Sequence, residues 1–127
     1  MTMGAMEVGT KLVELCRQGK NLEAIDALYA PDVVSVEASP MPGHDKVMTG
    51  IEAVRGKNQW WVENHEIHGG DVKGPFPHDE RFACVFQFDV TAKAGPMAGQ
   101  RIQMEEVGVF EVKGDKVVRE EFFYSMG

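Results

Sequence analysis

Cysteine is scarce in this chain: the sequence holds two, Cys16 in a helix-like pattern and Cys84 in a strand-like one. Neither has CxxC or zinc-ligand spacing, so both are read as core thiols rather than as a disulfide or a nucleophile. Basic residues are few as well. Thirteen Lys and Arg stand against twenty Asp and Glu, a net charge of −7, and no basic cluster stands out. A nucleic-acid or anionic-membrane surface is therefore disfavoured, and a small molecule is the expected partner. Apolar runs fall far short of a membrane span, and the start of the chain lacks the charged and apolar segments of a secretory signal. Both absences point to a soluble, cytoplasmic protein. No Gly-rich loop has the strand-to-helix context that cradles phosphate, and no Gly-x-Ser-x-Gly elbow of a serine hydrolase occurs. There is no internal repeat, low-complexity tract or linker.

What is present fits one domain, residues 1–127, with 43% hydrophobic content. A chain of that size buries roughly two-thirds of the surface its unfolded form exposes. Val8, Leu12 and Leu15 repeat at helical spacing over residues 5 to 18, with Gly19 as a stop. Asn21 is placed to cap a short second helix, with Leu22, Ile25, Leu28 and Tyr29 as its stripe and Pro31 as its end; Val33 to Glu37 then reads as a strand. Residues 38 to 50, rich in Pro and Gly, read as loop, with Thr49 capping a third helix from about Ile51 to His65. A bulged strand is expected around Ile67 to Lys73 and a loop at Pro75 and Pro77. Arg81 to Lys93, Arg101 to Lys113 and Lys116 to Ser125 alternate as strands, the last two joined at Gly114–Asp115. The order predicts an α+β fold, with helices on one face of an antiparallel sheet.

The last two strands each carry an acid on the apolar face. Glu106 sits among Ile102, Met104, Gly108, Phe110 and Val112, and Glu120 among Val118, Phe122 and Tyr124. An isolated carboxylate there would lose hydration at a cost of several kcal/mol unless it is paired, hydrogen-bonded or protonated. A polar pocket inside the sheet accounts for both. The competing explanation pairs these acids with Arg101, Arg119 or a lysine and leaves Glu37 in solvent at a strand end. Glu105 and Glu121, on the opposite parity, are expected in solvent or at an interface, and would replace Glu106 and Glu120 if a bulge shifted the alternation. On the third helix Val54, Asn58, Trp61 and His65 share a face; Trp61 points inward and Trp60 to the rim. Asn58 and His65 would either orient a ligand oxygen or bond to backbone. His65 and His68 do not make a metal site, since the helix ends between them. Ala83, Val85, Val107 and Val109 make the opposite sheet face apolar too, and a second copy of the chain is expected to cover it.

The passages NLEAIDALYAPDVVSVEA at 21 to 38, TGIEAVRG at 49 to 56 and EEVGVFEVKGDKVVREEFFYS at 105 to 125 resemble the nuclear transport factor 2-like superfamily. Within it, the chain is similar to the SnoaL-like polyketide cyclase and ketosteroid isomerase branch. The resemblance covers roughly residues 5 to 125. It implies a cystatin-like cone of strongly curved antiparallel sheet with three helices over its concave face, a pocket inside the cone, and often a homodimer through the outer face. It also implies roles. Counting without a gap from Tyr29-Ala30-Pro31-Asp32, Glu37 falls where the isomerases carry their proton-shuttling carboxylate; counting back from Phe110, Glu106 falls where they carry a protonated acid of the oxyanion hole. Both positions keep the acid and lengthen Asp to Glu. The tyrosine that completes that hole has no match, because Leu12 or Val13 stands there. Some cyclase relatives place their acid/base carboxylate on the strand that carries Glu120.

The expected activity is proton transfer on a small apolar carbonyl compound without cofactor or metal, giving isomerisation or cyclisation. Glu37 is the expected base and Glu106 or Glu120 the acid or enolate stabiliser. Asn58, Trp61, His65, Phe122 and Tyr124 are the expected pocket lining. The alternative is a non-catalytic binding protein for a hydrophobic metabolite, and epoxide hydrolysis ranks below both.

Overall fold

Val8, Leu12 and Val13 bury one face of α1 (Ala5–Arg17), the first element of the computed structural model, which describes residues 4–40 and 43–124. Gly19 adopts a φ of 73°, so its N–H reaches the Cys16 carbonyl at 3.0 Å and the Lys20 N–H reaches Leu15 at 2.9 Å. That closure restarts the chain at once as α2 (Asn21–Leu28), with Lys20 in the cap position that Asn21 was expected to fill. β1 (Tyr29–Val36) follows without a loop, four residues earlier than its apolar pattern suggested. Pro31 is tolerated inside it because the neighbouring strand β2 (Val47–Thr49) pairs only with Val34 to Val36, and the pairing on the other side skips from Tyr29 to Val34. β2 itself lies where a loop was expected; it is three residues long, and only Met48 faces inward. Gly50, at φ 98°, turns the chain into α3 (Ile51–Glu63), two residues shorter than expected.

The remaining chain is a four-stranded antiparallel meander of β3 (His65–His78), β4 (Arg81–Ala92), β5 (Arg101–Lys113) and β6 (Lys116–Phe123). β3 bulges at Gly69 as expected, but it also continues through Pro75, which falls in a second irregularity between Lys73 and Phe76, and Pro77, which pairs with Phe82 of β4. Gly114 and Asp115, at φ 56° and 70°, make the tight turn from β5 to β6. Pro42 of the expected loop and Ser125 of the expected last strand lie outside the described residues.

The strands lie in the order β2-β1-β6-β5-β4-β3, a curved, unclosed six-stranded sheet. One expectation needs correction. The sheet is mixed rather than antiparallel, because β1 and β6 run parallel, with Ser35 beside Glu120. Alternation within each strand says which face a residue takes but not which distant strand lies beside it. A bulge corrects a second detail: Glu111 pairs with Arg119 and Val112 with Val117, so Val118 is the extra residue and Val117 faces the core.

The helices cover the inner face, where Phe82 and Phe110 stack at 4.8 Å. Gly9 lets α1 approach closely, since a Cβ there would sit 2.7 Å from Pro75 and 3.0 Å from Phe82. Residues on the inner face of β4 and β5 are buried from Phe82 to Phe86 and from Phe110 to Val112, but Phe88, Met104 and Glu106 are half-buried. On the outer face Ala83, Val85, Val107 and Val109 are half-buried, and Phe76 and Phe123 are 57% and 51% exposed. Among the described residues no helix is long and apolar enough to cross a membrane.

Candidate functional site

Alternation along β1 sends Val33 and Ser35 inward, and Glu37 continues the same face just past the strand end. The parallel pairing with β6 sets Ser35 against Glu120, so two acids and a hydroxyl meet under α3. Lys57 comes down between them. It lies three residues after Val54 on the buried side of α3 and is 4% exposed. Its ammonium has three protons and three acceptors: Ser35 Oγ at 2.6 Å, Glu37 Oε1 at 2.7 Å and Glu120 Oε2 at 3.4 Å. The ring of Phe122 lies 4.9 Å from the same nitrogen.

Both carboxylates are satisfied on both oxygens. Glu120, 1% exposed, accepts Tyr29 O–H on Oε1 and Ser35 O–H on Oε2 at 2.6 Å. Glu37, 8% exposed, accepts Tyr124 O–H on Oε2 at 2.9 Å, with the Ser39 carbonyl 3.3 Å from the same hydroxyl. No buried side-chain nitrogen or oxygen among the described residues lacks a partner. Burial, then the nearby Glu120, pushes the Tyr29 hydroxyl well above its ordinary range; burial and Glu37 do the same to Tyr124. Both tyrosines therefore stay neutral donors at any moderate pH.

Glu106 differs from its two neighbours. Half-buried on β5 opposite Phe86, it makes no hydrogen bond or ion pair among the described residues. Burial and then Glu37 push its carboxyl up to about 7; Lys57 opposes the rise, and Glu120 adds to it. A group near 7 is divided between acid and base at neutral pH, which is what proton transfer requires.

The structure thus gathers Glu37, Glu120, Phe122 and Tyr124 around Lys57, with Glu106 within their field. The other expected lining residues form a separate group. His65 stacks on Trp61 at 4.4 Å and its Nδ1 contacts the Trp61 carbonyl at 2.8 Å, while Asn58 donates to Val54 on its own helix at 2.9 Å. Trp61 in turn meets Phe88 at 5.0 Å. The arginines considered as partners for the acids are taken elsewhere: Arg101 binds Asp89, and Arg119 binds Glu121. Glu105 and Glu121 keep the outer parity and bond to Gln87 and Arg119. His68 contacts Thr91 rather than His65, and no group of three or more His, Cys, Asp or Glu among the described residues is arranged to hold a metal.

A lysine was weighed as a partner for the acids, but Lys57, which takes that place beside Glu120, was not singled out. Its position between Val54 and Trp61 put it on the inward stripe, but a lysine is assigned to solvent by default. Ser35, alternating with Val33 and Glu37, was legible on the same grounds; Tyr29 was hidden by its placement in a helix stripe. Two open depressions lie away from this cluster. One of about 420 Å³ is lined by Asp71, Gln87, Asp89, Gln103 and Glu105, and one of about 480 Å³ by Asp79, Glu80, Arg81 and Glu111.

Three helices over a curved sheet in this strand order define the cone-like α+β class shared by nuclear transport factor 2-like and cystatin-like proteins. The chain belongs to the SnoaL-like domain family, whose sequence model matches residues 3–124. Among solved structures, a Mesorhizobium loti protein is 44% identical over 96% of this chain and 100% of its own, with a TM-score of 0.87. It is described as a candidate SnoaL-like polyketide cyclase, with carbohydrate phosphatase as a second label. A nuclear transport factor 2-like protein of Burkholderia thailandensis shares 15% identity over 98% of this chain and 92% of its own, at a TM-score of 0.80. A candidate polyketide cyclase of Pseudomonas putida shares 16% over 98% and 93%, at 0.72. The last two show likeness of fold alone. No curated protein matches the sequence.

Proposed function

We propose that the protein is a cofactor-independent enzyme that moves a proton on a small, apolar carbonyl compound, giving isomerisation or cyclisation. Glu106 is the group that takes the proton from the α-carbon and returns it to another position. Negative charge left on the carbonyl oxygen is met by the Tyr124 hydroxyl, whose one proton turns from Glu37 to the ligand when substrate is bound. The observation that carries this reading is that Glu106, unlike Glu37 and Glu120, has no partner among the described residues and is held at about 7. It therefore takes the base role that the isomerase resemblance assigned to Glu37, whose two oxygens are occupied by Lys57 and Tyr124. Half-buried Phe88, Phe122 and Trp61 supply apolar walls at the less covered end of the sheet, and His65 Nε2 and Asn58 Oδ1, without a hydrogen bond among the described residues, are left for ligand contacts.

The test is a thermal-shift screen with apolar ketones, followed by solvent deuterium exchange at the α-carbon of each hit. Exchange should occur with the wild type and fall by about 10²-fold or more in Glu106→Gln, while binding survives. Undiminished exchange in that variant would remove Glu106 from the chemistry, and binding without exchange in the wild type would mark a binding protein.

The same reading includes a homodimer through the outer sheet face, supported by exposed Phe76 and Phe123 beside Val85, Val107 and Val109. Light scattering should give about twice the 14.1 kDa chain mass, and a monomer mass would refute it. Two free, buried or half-buried thiols fit a reducing, cytoplasmic setting.

A further inference from the structure

We infer that Lys57 is a positioning residue: clamped by Ser35, Glu37 and Glu120, it fixes the charge that Glu106 meets and so governs the protonation of an acid it does not bond. This rests on the proposed role of Glu106 but concerns a different residue and has its own readout.

All three ammonium protons of Lys57 are spent, on Ser35, Glu37 and Glu120, so none is left for a ligand. A buried lysine with no free donor acts on its surroundings only through its charge and through the side chains it holds in place. The groups around it come from several elements. β1 brings Tyr29 and, at its end, Glu37; β6 brings Glu120, with Tyr124 following; one step further out, α1 brings Cys16, in the field of Glu120, and β4 brings Cys84, in the field of Tyr29. The tyrosines and both thiols are pushed upward and remain neutral below about pH 9. Among the described residues, the charges acting on Glu106 are then Glu37, Glu120 and Lys57. One cation is set against two anions, and the cation touches both. Take away Lys57 and Glu106 faces two uncompensated carboxylates across a half-buried site; take away Glu37 and the remaining pair is neutral. Opposite substitutions in one cluster should therefore move Glu106 in opposite directions.

The experiment is a carbon-13 carboxyl NMR titration of Glu106, assigned with Glu106→Gln, in wild type, Lys57→Met, Glu37→Gln and the double variant. Lys57→Met should raise the Glu106 midpoint by about one pH unit or more, and Glu37→Gln should lower it by a similar amount. The double variant replaces the ion pair by neutral side chains of similar size and should return the midpoint towards the wild-type value. If Lys57→Met does not fold, the single Glu37→Gln and the double variant still bracket the effect of Lys57, because they differ only at that residue. A Glu106 midpoint that moves by less than about a third of a pH unit between the compared variants overturns the inference. The two readings fail separately. A wild-type midpoint near 7 that ignores Lys57 sinks this inference and spares the proposed function, whereas a midpoint near the ordinary 4.5 that still follows Lys57 does the reverse.

Discussion

Replacing Glu106 by Gln should change the pH dependence of folding stability in a direction that an exposed glutamate would not produce. The carboxyl has an ordinary value of 4.5 and is pushed up to about 7 in the folded protein, so the folded state holds its proton more tightly than the unfolded chain. Between those two values the unfolded chain gives up the proton first, and stability falls as pH rises. The contribution is fully present below pH 4.5, declines from there, and is lost once pH passes about 7. Each pH unit of difference is worth about 1.4 kcal/mol, which makes the loss about 3 kcal/mol at most. Gln cannot ionise, so the variant lacks this decline. The difference in unfolding free energy between variant and wild type should thus shift in favour of the variant by up to about 3 kcal/mol from pH 4.5 to pH 8. Any constant cost of burying the amide cancels in that comparison. Urea unfolding of both proteins across this pH range reads it. A difference that does not change with pH, or one that moves in favour of the wild type as pH rises, would refute the reasoning.

Lys57→Met leaves Glu37 and Glu120 buried without their cation and should cost about 3–5 kcal/mol at pH 7 by chemical denaturation; a loss below about 1 kcal/mol would show the pair to be dispensable. Gly108→Ala should cost about 1–3 kcal/mol, because the new Cβ would lie 2.9 Å from Phe110 and 3.0 Å from Phe86 on the inner face; a neutral result would show that these rings yield freely. Cys16 and Cys84, both pushed by burial to about 12, should react with iodoacetamide at pH 8 far more slowly in the folded protein than in urea, as mass spectrometry would read; equal rates would place the thiols in solvent.

The residues that the sequence placed correctly are those whose position follows from local periodicity. Glu106 and Glu120 fall inward because a strand alternates every second residue, and the parity that separates them from Glu105 and Glu121 survives the bulge at Val118. Glu37 follows from the same rule applied to Val33 and Ser35. What escaped depends on contacts between distant segments. β1 and β6 pair in parallel across more than eighty residues of sequence, and nothing in either strand announces its neighbour. β2 is too short to show a period. Lys57 illustrates the failure best. Its helix position was on the page, but only the meeting of β1 and β6 beneath α3 supplies the two carboxylates that make a buried ammonium tolerable. The same meeting explains why Glu37 and Glu120 are held by partners, while Glu106 has none among the described residues.

The most direct test of the account is the titration of Glu106 itself in the folded wild-type protein, followed by carbon-13 NMR of its side-chain carboxyl. A midpoint near 7 is predicted, with the acid and the carboxylate both well populated at neutral pH. A midpoint near 4.5 would make Glu106 an ordinary ionised glutamate and contradict its role as the proton-transfer group.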